Sequence, residues 1–130
     1  MILLGEAYVG KTSILSRFIG EKFSESYHCT IGVEYKIKSI LIDAYTSAEL
    51  KIWDTCGAEQ FRSLTRQYYR VAQGSIIVFD LTKKETFLYI QKWIKELNNN
   101  GNANIPILIV GNKSDLSTER VVPIDEIKKK

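Results

Sequence analysis

The chain has no long apolar run. Its apolar stretches fall well short of the ~20 residues that a membrane-spanning helix requires. The opening Met1-Ile2-Leu3-Leu4 has neither the basic region nor the length of a secretory signal. Cysteine is scarce: Cys29 and Cys56 are the only two and have no metal-ligand spacing, so with no secretory signal they read as reduced thiols in the cytosol. Repeats, low-complexity tracts and dividing linkers are also missing. Charge of one sign does not accumulate. The net charge is +3, and the one basic run, Lys128-Lys129-Lys130, reads as a solvated helix face rather than a nucleic-acid patch. What is present is 130 residues, 45% hydrophobic and 25% charged, the make-up of one globular domain or part of one. These bounds point to a soluble intracellular α/β protein.

The stretch with the most chemistry in it is Gly5-Glu6-Ala7-Tyr8-Val9-Gly10-Lys11-Thr12. It follows a short apolar run and precedes the helix-like Ile14-Leu15-Ser16-Arg17-Phe18-Ile19. Strand, Gly-x-x-x-x-Gly-Lys-Thr and helix in that order make a phosphate-binding loop: backbone N–H groups wrap phosphate oxygens and the helix dipole favours negative charge. Lys11 can reach the β- and γ-phosphates, and the Thr12 hydroxyl can coordinate Mg²⁺. A glycine turn with an incidental lysine is the bland alternative.

Around this loop the pattern alternates strands and helices. Residues 1 to 4 predict a short buried strand, and 11 to 20 a helix stopped by Gly20. A polar loop from Glu21 to Gly32 contains Phe23, Tyr27, His28 and Thr30. Val33 to Asp43 and Glu49 to Trp53 alternate and predict a hairpin at a sheet edge, joined by Ala44-Tyr45-Thr46-Ser47. Glu59 to Ala72 reads as loop then helix. Ser75 to Leu81 and Ile105 to Gly111 read as buried parallel strands, with an amphipathic helix from Lys84 to Asn100 between them. Pro123 opens a last helix. The fold class predicted is α/β, a mostly parallel sheet with helices on both faces and ligands beyond the carboxyl ends of its strands.

Three further motifs fall at those ends or beside them. Asp54-x-x-Gly57 closes an apolar strand: the carboxylate can hold a Mg²⁺-bound water, and the Gly57 N–H can approach a γ-phosphate unobstructed. Thr30 lies in the loop between the first helix and the hairpin, where a hydroxyl can join and leave the Mg²⁺ shell with the γ-phosphate. Asn112-Lys113-Ser114-Asp115 follows a buried strand. Its carboxylate can accept two hydrogens from guanine N1 and N2, a pair that adenine does not offer. The asparagine can bond the opposite edge of the base while the lysine stem covers the ring. Phe23 is a platform for the base or, nearly as well, a core phenylalanine. Alone, each motif reads as a turn or an ordinary loop; together and in this order they reinforce one another.

Gly5 to Thr12, Thr30, Asp54 to Gly57 and Asn112 to Asp115 together resemble the small GTPases of the Ras superfamily. Trp53, the run Thr30 to Tyr35, Phe61-Arg62-Ser63-Leu64 and Tyr68-Tyr69-Arg70 resemble the Rab branch. The resemblance runs from Ile2 to about Lys130 and implies the P-loop NTPase fold of small G proteins. It also implies a GTP/GDP switch in vesicle traffic that hydrolyses GTP with Mg²⁺. Residues 1–130 would be one such domain, with switch segments at about 27–34 and 56–70. The site residues it implies are Gly5, Val9, Gly10, Lys11, Thr12, Ser13, Phe23, Thr30, Gly57, Asn112, Lys113 and Asp115 for the nucleotide, and Thr12, Thr30 and Asp54 for the metal. Lys11, Thr30 and Gly57 would serve catalysis. Effectors, exchange factors and activating proteins would bind through the switch segments and Tyr35, Trp53 and Tyr68, unless those rings simply pack the sheet edge. The implied location is the cytoplasm, or the cytosolic face of endomembranes for a lipidated form.

Four departures from the family pattern qualify this. Ala58 stands where the family has the glutamine that orients the attacking water, which predicts slow hydrolysis and a weak response to activating proteins. Tyr8 replaces a frequent glycine in the tightest part of the loop, where a bulky ring is a disturbance if the position needs φ > 0. The family's last strand, Ser-Ala-Lys loop and final helix, and its prenylated C-terminal cysteines, have no counterpart in these residues, which suggests a fragment. Two alternatives therefore stand beside the enzyme: a non-catalytic, GTP-loaded module that binds effectors, and a truncated remnant that binds nothing.

Overall fold

Strands β1 (Ile2–Leu4) and β4 (Ser75–Asp80) form the centre of the sheet because nearly every side chain in them is apolar and both faces are covered. Five strands lie in the order β2-β3-β1-β4-β5, where β2 is Val33–Leu41, β3 Ser47–Thr55 and β5 Ile107–Asn112. Only β2 and β3 are antiparallel, in the predicted hairpin; β3, β1, β4 and β5 run parallel. The computed structural model describes residues 1–26, 30–57, 62–101 and 104–128.

Alternation along β1 divides the core. Ile2 and Leu4 face one side with Ile77 and Phe79, against Tyr69 of α2 (Arg62–Tyr69), Phe87 of α3 (Lys84–Leu88), and Ile90, Trp93 and Leu97 of α4 (Ile90–Asn100). Leu3 faces the other side, with Ile52 and with Leu15 of α1 (Lys11–Ile19). Each such side chain, fully buried, contributes roughly 1.5–3 kcal/mol. A short α5 (Ile124–Ile127) follows Pro123, preceded by a 3-10 turn at Ser117–Glu119. Among the described residues no helix is long and apolar enough to cross a membrane.

Helix α1 ends as predicted, with the Gly20 N–H donating to Arg17 O and the Glu21 N–H to Ser16 O, the paired bonds of a glycine-terminated helix. Three elements differ from the sequence reading. Strand β2 stops at Leu41 rather than Asp43, because Asp43 Oδ1 accepts the N–H groups of Tyr45 (2.8 Å) and Thr46 (2.9 Å) and turns the chain. The predicted helix over Lys84–Asn100 is interrupted at Tyr89, which keeps right-handed dihedrals while its carbonyl accepts from both Lys92 and Trp93, so that one turn is tightened. Strand β5 is not buried on both faces. Among the described residues it pairs with β4 alone and lies at the sheet edge, and Leu108 is 58% exposed.

The parallel strands bring Leu4, Thr55, Asp80 and Asn112 to one end of the sheet, and Asp80 stands directly opposite Asn112 in register. All four sequence motifs meet there.

Candidate functional site

Residues 5 to 10 join β1 to α1 as a loop held by its own backbone. Lys11 is buried, and its Nζ donates to Gly5 O (2.8 Å) and Glu6 O (2.7 Å), spanning the loop from within. Gly10 has φ +95°, and a Cβ there would run into Asn112 Nδ2, so only glycine fits. The same Nδ2 donates to Val9 O at 2.8 Å and ties the loop to the end of β5. Trp93 Nε1 donates to Glu6 Oε1 (3.1 Å), tying it to α4 as well. Gly57 packs against the Glu6–Ala7 backbone too closely for any side chain. Among the described residues α1 has no side-chain cap, which leaves its first-turn N–H groups suited to an anion. Tyr8 has φ +66°, the left-handed conformation that the sequence flagged as a strain for a bulky ring.

At the start of α1 three predicted oxygen donors converge. Thr12 Oγ1 donates to Asp54 Oδ2 at 2.6 Å and lies 2.9 Å from Thr30 Oγ1; with its proton committed to Asp54, Thr12 accepts from Thr30. Asp54 is 3% exposed, and its Oδ1 is buried with no hydrogen-bond partner among the described residues. Burial raises the Asp54 carboxyl above its ordinary range, against the opposing pull of the Thr12 hydroxyl and the Lys11 charge. Thr55 Oγ1 donates to Leu3 O (2.6 Å) and pins the end of β3 to β1. An orphaned carboxylate oxygen beside two hydroxyls fits a hard cation that takes oxygen ligands. Mg²⁺ is such a cation.

A cleft of about 1120 Å³ runs from this corner across the loop to the end of β5. Gly10, Lys11, Thr12, Ser13, Thr30 and Gly57 line it, together with Asn112, Lys113 and Asp115. Phe23 lines it too and is 64% exposed, so it is not a core phenylalanine. Gly5 and Val9 are not on the wall: both are buried below it, where their carbonyls accept from Lys11 and Asn112. Asp54 likewise stands behind Thr12. Lys113 has φ +66° and places Nζ 2.6 Å from Asp80 Oδ2. Asp80 is 1% exposed, and its Oδ1 accepts from Thr82 N (2.8 Å) and Thr82 Oγ1 (2.7 Å). Burial pushes the Asp80 carboxyl up, but the Lys113 and Thr82 bonds outweigh it and hold it below its ordinary value.

The three aromatic residues also meet, on the hairpin beside α2. Tyr35 and Trp53 are register partners with ring centroids 5.4 Å apart, and Trp53 lies 4.4 Å from Tyr68. Lys51 Nζ sits 4.0 Å from the Tyr35 centroid and 4.6 Å from that of Trp53. Trp53 and Tyr68 pack on the core while Tyr35 is half exposed.

A family model described as the Ras family matches residues 1–130. The chain belongs to the Ras family. The Ras-related protein Rab-25 of Oryctolagus cuniculus is 45% identical over 126 residues, covering 97% of this chain and 59% of that protein. The Ras-related protein Rab11A of Lotus japonicus is 42% identical over 128 residues, covering 98% and 56%. The Ras-related protein RABA4b of Arabidopsis thaliana is 42% identical over 128 residues, covering 98% and 57%. The chain thus spans less than two thirds of the length of these curated relatives. The resemblance to the Rab branch is shared with relatives that carry Rab names.

Within this Ras-family fold the structure gathers the described nucleotide- and metal-site residues at one end of the strands, in or just behind the cleft wall. Ala58 lies outside the described residues, as do Tyr27, His28, Cys29, Glu59, Gln60, Phe61, Lys129 and Lys130 and hence parts of both switch segments. Sequence reasoning does not single out Asp80, Thr82, Glu6 or Trp93. For Asp80 a signal was present: a carboxylate ends an otherwise apolar strand, as Asp54 does.

Proposed function

We propose that the chain is a Mg²⁺-dependent guanine-nucleotide switch of the Rab type, acting in vesicle traffic and hydrolysing GTP to GDP slowly. The observation that carries this is the convergence of Thr12, Thr30 and Asp54, one of whose oxygens has no hydrogen-bond partner among the described residues, beside a cleft also lined by Asn112 and Asp115. The loop backbone and Lys11 hold phosphates. Thr12 and Thr30 hold the metal, with Asp54 behind them. The metal, when bound, neutralises charge on the phosphate oxygens. The Gly57 N–H senses the γ-phosphate. Asn112 and Asp115 read guanine, the Lys113 stem covers it, and Phe23 flanks it. Effectors and regulators read Tyr35, Trp53 and Tyr68, and a lipidated form would work at the cytosolic face of endomembranes.

The test is to denature the purified chain and identify the released nucleotide by ion-exchange chromatography. A guanine nucleotide at one per chain is expected. None, from protein refolded with GTP and Mg²⁺, would overturn the reading and leave the non-binding remnant.

Ala58 favours a second reading, a GTP-loaded module that engages effectors without turning over. Single-turnover hydrolysis separates the two. Ala58→Gln should speed the wild-type rate; equal rates would remove the argument that alanine slows the reaction.

A further inference from the structure

One buried, ion-paired acid has no part in the proposed chemistry. Asp80 ends β4 directly opposite Asn112 of β5, so its side chain stands beside the base-reading loop rather than the phosphates. Its Oδ1 accepts from the N–H and hydroxyl of Thr82, and its Oδ2, which has no hydrogen bond among the described residues, forms an ion pair with the Lys113 ammonium at 2.6 Å. The backbone around it is braced in the same direction. The Asp80 N–H donates to Thr86 Oγ1 (2.9 Å), whose hydroxyl donates to Lys83 O (2.8 Å). Leu81 N–H donates to Asn112 O at 3.0 Å. Lys113 itself sits at φ +66°, a conformation that a non-glycine residue holds only when its surroundings over-determine it.

An ammonium on four flexible carbons has many places to go. Left to itself in a cleft, it would follow the nearest phosphate or carboxylate, Asp115 included. Charge-assisted pairing to a buried, pre-oriented carboxylate removes that freedom.

We propose that Asp80 is a positioning residue for base recognition: it anchors the Lys113 ammonium in the cleft wall, so that the lysine offers its stem to the base and leaves the Asp115 carboxylate unneutralised for guanine. Thr82 orients Asp80 for that role. This rests on the reading of the cleft as a guanine-nucleotide site.

The experiment measures GDP and ADP affinity by fluorescence titration, with thermal melting alongside, for wild type, Asp80→Asn, Lys113→Met and the double variant. Wild type should prefer GDP. Asp80→Asn should lose about tenfold of that preference, equivalent to ~1.4 kcal/mol. In the Lys113→Met background, Asp80→Asn should change the preference little, because its route is already cut. A lower melting temperature with an unchanged GDP-to-ADP ratio would mean a purely structural acid and overturn the proposal, as would equal losses in both backgrounds. Thr82→Ala, which keeps the ion pair and removes one donor to Oδ1, should lower the ratio in the same direction by less. An unchanged ratio there with Asp80→Asn unfolded would also count against it. If wild type binds neither nucleotide, the cleft reading itself fails, a result distinct from all of these.

Discussion

Two aspartates end neighbouring regions of the same sheet, equally buried and in opposite electrostatic condition. Asp54 at the end of β3 keeps one oxygen with no hydrogen-bond partner among the described residues, and burial raises its carboxyl. Asp80 at the end of β4 has two bonds from Thr82 and a cation at 2.6 Å, and these hold its carboxyl down despite burial. Burial alone therefore says little about what a carboxylate is for. Asp80 already has its cation within the chain, in Lys113, and stands opposite Asn112 in register. Asp54 accepts from the Thr12 hydroxyl, and the oxygen left without a hydrogen-bond partner among the described residues suits a cation that takes oxygen ligands.

The sharpest way to break the contrast is to remove each charge and compare the signs. Asp80→Ala strands the Lys113 ammonium and removes the receptor for Thr82, so denaturant unfolding should register a loss of about 3 kcal/mol. Asp54→Asn should go the other way in nucleotide-free protein. It removes a charge that the fold disfavours and should gain on the order of 1 kcal/mol. The same variant should lose the Mg²⁺ dependence of GDP affinity, read by titration with and without EDTA. Loss of stability in both variants would erase the distinction between the two acids.

Their pH dependence should also diverge. A raised native value means that the Asp54 contribution favours the fold at low pH and is lost as pH rises through that value, above the ordinary 3.8. A depressed value means that the Asp80 contribution is present above 3.8 and is lost as pH falls through its native value. The stability gain of Asp54→Asn should therefore shrink on acidification, and so should the loss of Asp80→Ala. Melting curves of nucleotide-free protein from neutral pH to about pH 3 would record both. The smallest effect is expected between the two regions, on the loop itself. Tyr8→Gly relieves a left-handed backbone and should stabilise by up to about 1 kcal/mol, seen as a modest rise in melting temperature.

Where the side-chain period and the turn chemistry agree, the fold is readable before any coordinates. The hairpin and the central strands exist where alternation and apolar runs predict them, and the Gly20 stop falls where glycine places it, while the hairpin's ends do not: β2 stops two residues short of Asp43, and β3 begins at Ser47, inside the predicted turn, and runs on to Thr55. Strand β5 misleads because an apolar run looks the same whether a strand has neighbours on one edge or two. The break at Tyr89 is equally silent, being a local change in which carbonyl is shared. The site follows the same division. Lys11, Thr12, Asp54, Asn112 and Asp115 stand out by spacing, while Asp80 and Trp93 do not, because their partners lie far away in the chain: Glu6 for Trp93, and Lys113 for Asp80.

By itself, then, the order of residues determined the strand–loop–helix frame, the oxygen and amide groups available to a nucleotide and a hard cation, and the absence of a glutamine at Ala58. Those are properties of residue type and local geometry. Only the tertiary structure decided which acid meets an ammonium at 2.6 Å and which meets a hydroxyl, that Phe23 is on the cleft and not in the core, and that Gly5 and Val9 support the loop from beneath. Each of those depends on distance in space between residues that the chain keeps apart, and a carboxylate takes its character from whatever the fold brings within reach.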